Sequence, residues 1–397
     1  KRPVKEKDWV VVGATPDDML AQGYRPVGKD FPVFLHPDTN EEYALARTER
    51  KTGTGYKGFT CDASTSVTLE EDLLRRDLTI NAIAEDNQGH IIDPFKGQQD
   101  LNNKILRHVS PAFAEDPVRV LRVARFAARY AYLGFRIAEQ TLELMQNMAS
   151  AGELDYLVPE RVWQELQKAL AEQHPDIFFE TLRASHALAI IIPEIDRLFG
   201  VPQTAQHHPE IDTGVHTLMV LQQASLLSNS TSVRFAALTH DLGKAATPKE
   251  EWPRHIAHEE RGAVLVEQMC KRLKIPNAYK DLAVLVARYH LQCHRAFELR
   301  ANTLLNLFEK AGAFRNPEKF EQFLLACEAD ARGRKGREQN PYPQAAYLKS
   351  ALASAMTVNA KPFIEQGLQG KAIADAMYNT RCTTLKKFKQ EYQNRHD

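Results

Sequence analysis

Glu115-Asp116-Pro117-Val118-Arg119-Val120-Leu121-Arg122-Val123-Ala124-Arg125-Phe126 is the stretch at which this chain changes character. Asp116 precedes a proline that suits the first turn of a helix, and Arg119, Arg122, Arg125 and Arg129 recur at helical spacing, with valines, Leu121 and alanines opposite. Before it, strand-like runs mix with short helices. Trp9-Val10-Val11-Val12 is β-branched and bounded by Gly13, and Thr15-Pro16-Asp17-Asp18 reads as an N-cap followed by proline. Further strands are expected at 32–35, 42–47 and 90–94, and a helix over 69–84. After it, strand signals nearly vanish, and apolar residues repeat at helical spacing over 118–132, 160–172, 217–227 and 260–273. The expectation is an α+β chain: a mixed sheet with helices, followed by an all-α remainder.

With 397 residues, 43% of them hydrophobic, the chain can bury more than one core, and its length supports roughly two to four compact units. Boundaries fall near 125, 210 and 320. Lysine plus arginine equals aspartate plus glutamate at 51 each, so any nucleic-acid-binding surface must be local. Five cysteines, Cys61, Cys270, Cys293, Cys327 and Cys382, show no C-x-x-C spacing and suit reduced thiols. No apolar run is long enough to span a bilayer, and the basic opening lacks the apolar stretch of a signal peptide. A soluble, cytoplasmic protein is expected.

Glu6 and Asp8 stand two apart just before the first strand, so their side chains leave on one face. Two hard oxygen ligands so placed can hold magnesium ions against a nucleoside triphosphate, with Glu42 as the third carboxylate from a neighbouring strand. The same spacing also describes the solvated end of a buried strand. In Arg75-Arg76-Asp77-Leu78-Thr79-Ile80-Asn81-Ala82, arginines can grip triphosphate oxygens while Asp77 and Asn81 order them or the sugar. An exposed, ion-paired helix is the alternative. Asp116 beside Arg119 can match the amino donor and ring-nitrogen acceptor that cytosine and adenine share, and would reject guanine and uracil. Asp116 could equally cap the helix. Lys51-Thr52-Gly53-Thr54-Gly55-Tyr56-Lys57 reads as a mobile loop.

His216 opens one helical run, and Leu238-Thr239-His240-Asp241-Leu242-Gly243-Lys244 closes an apolar one, with His255 and His258 close behind. A His-Asp pair at a helix end with a distant histidine can converge on a divalent metal while leaving water sites open. Single histidines are commonly structural.

Together these segments resemble the bacterial class II tRNA nucleotidyltransferases, whose polymerase-β-like head is shared with bacterial poly(A) polymerases. The likeness runs through Lys7 to Gly13, Phe31 to Pro37, Glu42 to Arg50, Arg75 to Ala82 and Glu115 to Phe126, and covers nearly the whole chain. It implies template-free addition of C, C and A to tRNA 3′ ends from CTP and ATP with Mg2+. By position, Glu6, Asp8 and Glu42 would be catalytic, with the metals on Glu6 and Asp8. Arg76, Asp77 and Asn81 would serve the nucleotide, Asp116 and Arg119 the base edge, and Arg122 and Arg125 the rest of the pocket. The loop over 47–57 would help switch from C to A addition.

His216 with His240-Asp241-Leu242-Gly243-Lys244 resembles the HD phosphohydrolases, whose pattern is a histidine, a His-Asp pair and a later aspartate. His258 is taken as a further ligand. The later aspartate stays open: Ala287-Arg288-Tyr289-His290-Leu291 carries histidine in that region, and Asp281 lies one helix face earlier. In CCA enzymes with this fusion the resemblance implies phosphatase, 2′-nucleotidase and 2′,3′-cyclic phosphodiesterase activity with a preference for Ni2+. The implied division is a nucleotidyltransferase head at 1–125, a helical neck at 126–210, the HD domain at 211–320 and a helical tail at 321–397. The partners are tRNA, CTP and ATP, with no membrane, in a monomer or homodimer. Asp330-Ala331-Arg332-Gly333-Arg334 and Lys386-Lys387-Phe388-Lys389 read as tRNA backbone contacts or as ordinary solvated surface.

Two departures from the family pattern stand out. Its head opens with a strand, a Gly-Gly turn and an Arg-Asp pair, and no Gly-Gly occurs before Glu6, so the sequence is expected to begin downstream of that segment. Glu6 stands where the family usually has aspartate, and octahedral magnesium tolerates a ligand displaced by a methylene poorly. Glu6→Asp is therefore expected to raise CMP incorporation; unchanged incorporation would refute a strict geometric need. A poly(A) polymerase, which would tend to carry a basic tail and no HD domain, and a tRNA-binding protein with an inactive head are the competing readings.

Overall fold

The structure is a computed structural model that describes residues 7–27, 32–51, 59–204 and 210–396, with backbone alone at 49–51, 59–61 and 396. It divides into two compact units, residues 1–165 with 180–191, and 166–179 with 192–397. Glu6 lies outside the described residues.

In the first unit, β1 (Asp8–Val11), β2 (Arg25–Val27), β3 (Val33–Leu35) and β4 (Glu42–Leu45) form one sheet in the order β1-β4-β3-β2. Only the β1–β4 pair is parallel. The helix Pro16–Ala21 makes the connection from β1, and Thr15 and Asp18 close a capping box at its start. Met19, Phe34 and Leu45 are buried together, with Val11, Tyr24 and Tyr43 packed against them.

The remaining head elements depart from expectation in instructive ways. The strands at 32–35, 42–47 and 90–94 shorten to Val33–Leu35, Glu42–Leu45 and Ile91–Ile92. Part of the expected loop is a ladder, Thr48–Lys51 against Phe59–Asp62, while residues 52–58 lie outside the described residues. The helix expected over 69–84 ends at Leu74 and is followed by a 3-10 turn, Thr79–Asn81. Asp77 supplies the reason: its Oδ1 accepts from the Leu78 amide and the Asn81 Nδ2, both at 2.9 Å, a local bonding scheme that competes with helix continuation. Beyond Asp116 the unit is helical, apart from Arg136–Ile137 pairing with Ile105–Leu106. Two residues are too few to carry a strand period.

In the second unit, Thr213–Leu227, Thr231–Thr239, His258–Arg272, Asn277–His294 and Pro317–Arg332 pack against one another. Ala301–Lys310, Pro343–Met356 and Lys371–His396 complete its longer helices. Among the described residues no helix is long and apolar enough to cross a membrane. The 386–389 run is only half solvated: Phe388 packs on Tyr347 and Tyr392, and the Lys389 ammonium donates to the carbonyls of Phe297 and Leu299.

Candidate functional site

The first group of residues sits on the parallel strand pair. Asp8 and Glu42 are register partners, so both exposed carboxylates project from the same face of the sheet. Trp9, one residue on, turns to the other face, stacks on Tyr43 at 5.4 Å and donates to Glu41. As a donor set, two adjacent carboxylates on a firm backbone fit a hard divalent cation.

The arginines of 75–82 are held by one buried acid. Asp72 takes Arg75 on Oδ1 and Arg76 on Oδ2, each at 2.9 Å, and the Arg76 side chain keeps 35% of its exposure. Asp77 is buried and joins its own turn to the arginine helix: beyond Leu78 and Asn81, its Oδ2 accepts from Arg122 Nε at 2.6 Å. Burial alone would push the Asp77 carboxyl up, yet Arg122 and Asn81 hold it below the usual range.

The helix Val118–Tyr130 carries the arginine series. Asp116 Oδ1 does cap this helix, accepting from the Val118 amide at 3.1 Å, and both its oxygens are also held by Arg161, at 3.1 and 2.7 Å. Arg119 points inward, donating to the carbonyls of Ala112 at 2.8 Å and Arg75 at 2.6 Å. Arg125 is buried against Glu165 at 2.5 Å and lies over the Phe126 ring. Of the series, Arg122 alone reaches Asp77. Sequence reasoning missed Arg161 and Glu165; their i,i+4 spacing on Pro159–Leu170 was the available signal. Removing one partner of a buried ion pair leaves an uncompensated charge, so Glu165→Ala is expected to destabilise the protein by about 3–5 kcal/mol. Denaturant unfolding measures it, and a loss under about 1 kcal/mol would mean that the pair is solvated and worth little.

The second group lies in the helical unit. His216 is in the first turn of Thr213–Leu227, His240 caps Thr231–Thr239, and His258 begins His258–Arg272. Gly243 makes the approach possible: a Cβ there would collide with the backbone of His258 and Gly262, so only glycine lets the His240-Asp241 turn lie against that helix. Two sets of buried ligand atoms result, His216, His240 and Asp330 in one, and Asp241, His258 and His290 in the other, each with all atoms within 4.8 Å. Asp241 belongs to both surroundings. Its Oδ2 is 3.0 Å from His240 Nε2, and its Oδ1 is 3.3 Å from His258 Nε2 and 3.6 Å from His290 Nε2.

These atoms crowd together without satisfying one another. His240 Nε2, Asp241 Oδ1 and His258 Nε2 are buried and complete no hydrogen bond, although His240 Nδ1 and His258 Nδ1 are each anchored on a backbone carbonyl. Orphaned ligand atoms converging on a point, with the opposite ring nitrogens fixed, fit a divalent metal. Burial pushes the His290 imidazole down to about 3, which keeps it neutral as a ligand must be. The Asp241 carboxyl lies well below its ordinary value, because His240 and Lys244 outweigh its burial.

The aspartate that the sequence left open is placed by the packing. Asp281 is exposed at 54% of its side chain and stands outside the cluster. The aspartate that enters is Asp330, 3% exposed, with Oδ1 3.2 Å from His216 Nε2 and Oδ2 2.6 Å from His294 Nε2. Asp330 is therefore not solvated surface, although Arg332 and Arg334 of the same stretch are half-buried. His255 turns away, its Nε2 meeting the Pro202 carbonyl.

Comparison with known proteins agrees with this division of chemistry. Residues 12–107 match the family described as the poly A polymerase head domain, 134–199 the probable RNA and SrmB-binding site of polymerase A, and 213–344 the HD domain. The chain is 62% identical over 390 residues to the multifunctional CCA protein of Thioalkalivibrio sulfidiphilus, covering 98% of this chain and 95% of that one. To the protein of the same name from Nitrosococcus oceani it is 64% identical over 385 residues, covering 97% and 94%. Among solved structures it resembles the Thermotoga maritima CCA-adding enzyme complexed with tRNA, with a TM-score of 0.61 at 18% identity over 100% of this chain and 88% of that one. It also resembles the Bacillus stearothermophilus CCA-adding enzyme in complex with CTP, with a TM-score of 0.62 at 21% identity over 100% and 90%. At such identities the structural likeness speaks for the fold.

Proposed function

We propose that this chain, which belongs to the family of multifunctional CCA proteins, adds C, C and A to tRNA 3′ ends from CTP and ATP at its head and hydrolyses phosphate esters of damaged or cyclic tRNA ends at its histidine-aspartate cluster. One observation carries the reading: a single chain holds both a same-face carboxylate pair, Asp8 and Glu42, and a buried six-residue ligand cluster. The division into head at 1–125, neck at 126–210, HD domain at 211–320 and tail at 321–397 is kept as a proposal, with Asp330 supplied to the HD cluster from the last segment.

At the head, Asp8 and Glu42, with Glu6, would hold Mg2+, which when bound would neutralise triphosphate charge; the 3′ hydroxyl oxygen bonds to the α-phosphorus as the α–β P–O bond breaks and pyrophosphate leaves in line. Arg76 is exposed enough to reach phosphate oxygens, and Asp72 fixes its fork. Asp77 orders Arg122 and Asn81 around the nucleotide. Asp116 and Arg119 would read the amino and ring-nitrogen edge that cytosine and adenine share. Arg119 must exchange its two backbone carbonyls for the base, and Asp116 must yield at least one oxygen from Arg161. Arg125 supports the pocket through Glu165 and does not itself line it in this arrangement.

At the cluster, His216, His240, Asp241, His258, His290 and Asp330 would hold divalent metal, which when bound supplies an activated water for attack at phosphorus. Four imidazoles favour a borderline cation such as Ni2+ over Mg2+. The family activities of 2′-nucleotidase, phosphatase and 2′,3′-cyclic phosphodiesterase are the reactions expected there. Incubation with tRNA lacking its CCA end and labelled CTP tests the head reading. Labelled C must enter before any A; incorporation of A alone would point to a poly(A) polymerase, and no incorporation to a head that only binds.

A further inference from the structure

We infer that Arg334 is the phosphoryl-binding residue of the histidine-aspartate site, its guanidinium fork taking the non-bridging oxygens of the phosphate ester; this rests on the phosphohydrolase reading above. A cluster containing Asp241 and Asp330 repels a phosphate anion, so besides metal the site needs a cation with donors to spare.

Backbone geometry puts Arg334 at the cluster. The helix Pro317–Arg332 ends at Gly333, where a Cβ would stand 2.5–2.7 Å from atoms of Val220, so only glycine lets this turn press onto the helix of His216. The Gly333 carbonyl is 3.1 Å from His216 Nδ1, which ties the turn to the metal-facing ring. Arg334, the next residue, brings Nη2 to 3.5 Å from Asp330 Oδ1, the oxygen that also faces His216 and His240.

Donor counting separates Arg334 from its neighbours. Lys244 is already committed, at 2.6 Å to Asp241 and 2.5 Å to Gln203. Arg332 also has a buried Nε without a partner, but its Nη2 is drawn to Glu328 at 2.7 Å. Arg234 donates to four backbone carbonyls. Arg334 has one long contact, and its Nε is buried without a hydrogen-bond partner, while 17% of the side chain stays open to solvent. The other oxygen of Asp330 is already engaged, with His294 Nε2 at 2.6 Å. A half-buried guanidinium whose Nε is buried without a partner, beside a metal cluster, has donors that a ligand can complete. A phosphoryl group, presenting two oxygens to the fork, does so.

The test uses the full-length chain with Arg334→Lys and Arg334→Gln. KM and kcat are measured for p-nitrophenyl phosphate and a 2′,3′-cyclic nucleotide, with the inhibition constant of inorganic phosphate, the bound metal per chain and the melting temperature. Expected is a rise in KM and in the phosphate inhibition constant of roughly 10- to 100-fold for Arg334→Gln. The rise is smaller for Arg334→Lys, and metal content and melting temperature stay at the wild-type value in both. Unchanged KM and phosphate inhibition would overturn the inference, as would loss of metal from both variants, which would make Arg334 a support for Asp330. A wild-type chain that hydrolyses neither ester would instead sink the phosphohydrolase reading on which the inference stands.

Discussion

Asp241→Asn is expected to lower phosphate-ester hydrolysis by about a thousandfold or more and to strip the cluster of metal. CMP and AMP incorporation should stay within about twofold of wild type, the spread expected for a site outside the polymerising head. The size of the effect follows from position. Asp241 belongs to one ligand set, presenting one oxygen to His258 and His290, and turns the other to His240 of the second set, so it links the two. Its carboxyl sits well below the usual range, with the burial that would raise it outweighed by His240 and Lys244, so the site works with a permanent anion. An amide keeps the shape and removes the charge, leaves Lys244 without its counter-ion, and turns a donor toward at least one ligand position. Metal analysis by mass spectrometry and the two activities measured side by side give the answer. Hydrolysis and metal retained would refute the ligand role; loss of both activities together would mean a general failure of folding.

Why His240 and Asp241 were readable and Asp330 was not is a matter of locality. A His-Asp doublet at the end of an apolar helix, followed by Gly243, announces itself within seven residues. Asp330 sits in the apolar stripe of Pro317–Arg332, among buried Phe323, Leu324 and Cys327, and its close histidine partners, His216 and His294, come from other helices. A carboxylate on the buried face of an amphipathic helix was the one available clue, since such a group is rarely buried without a partner or metal. His290 carried a similar hint, a histidine in line with Leu282 and Val286 on the buried face of an amphipathic helix. In the head, the β-branched run of β1 and the capping box at Thr15 were local and legible. The overlong helix at 69–84 was not, because its end turns on Asp77 accepting from the Leu78 amide and Asn81, a choice that periodicity does not register. Periodicity likewise placed Arg119, Arg122 and Arg125 together without revealing that Arg119 faces backbone carbonyls and Arg125 faces Glu165. Spacing says which residues share a face; what that face meets belongs to packing.

Asp8→Asn and Glu42→Gln are each expected to lower CMP incorporation by about a thousandfold, since each removes a charged oxygen from a site that must hold magnesium against a triphosphate. The same substitutions should leave folding nearly untouched, within about 0.5 kcal/mol, as for exposed residues without special contacts. Both residues are exposed, and neither side chain makes a hydrogen bond or ion pair to a described residue. Like charges on register partners repel, so as mere strand ends they would be an unfavourable choice that either substitution relieves. The two readings of this feature therefore predict opposite outcomes. If the carboxylates only solvate the sheet, activity persists and the melting temperature holds or rises slightly. If they hold the catalytic metals, incorporation collapses in a protein that melts normally and still hydrolyses phosphate esters at the other site. Calorimetry paired with labelled-CTP incorporation distinguishes them, and wild-type incorporation by either variant would remove that residue from the catalytic set.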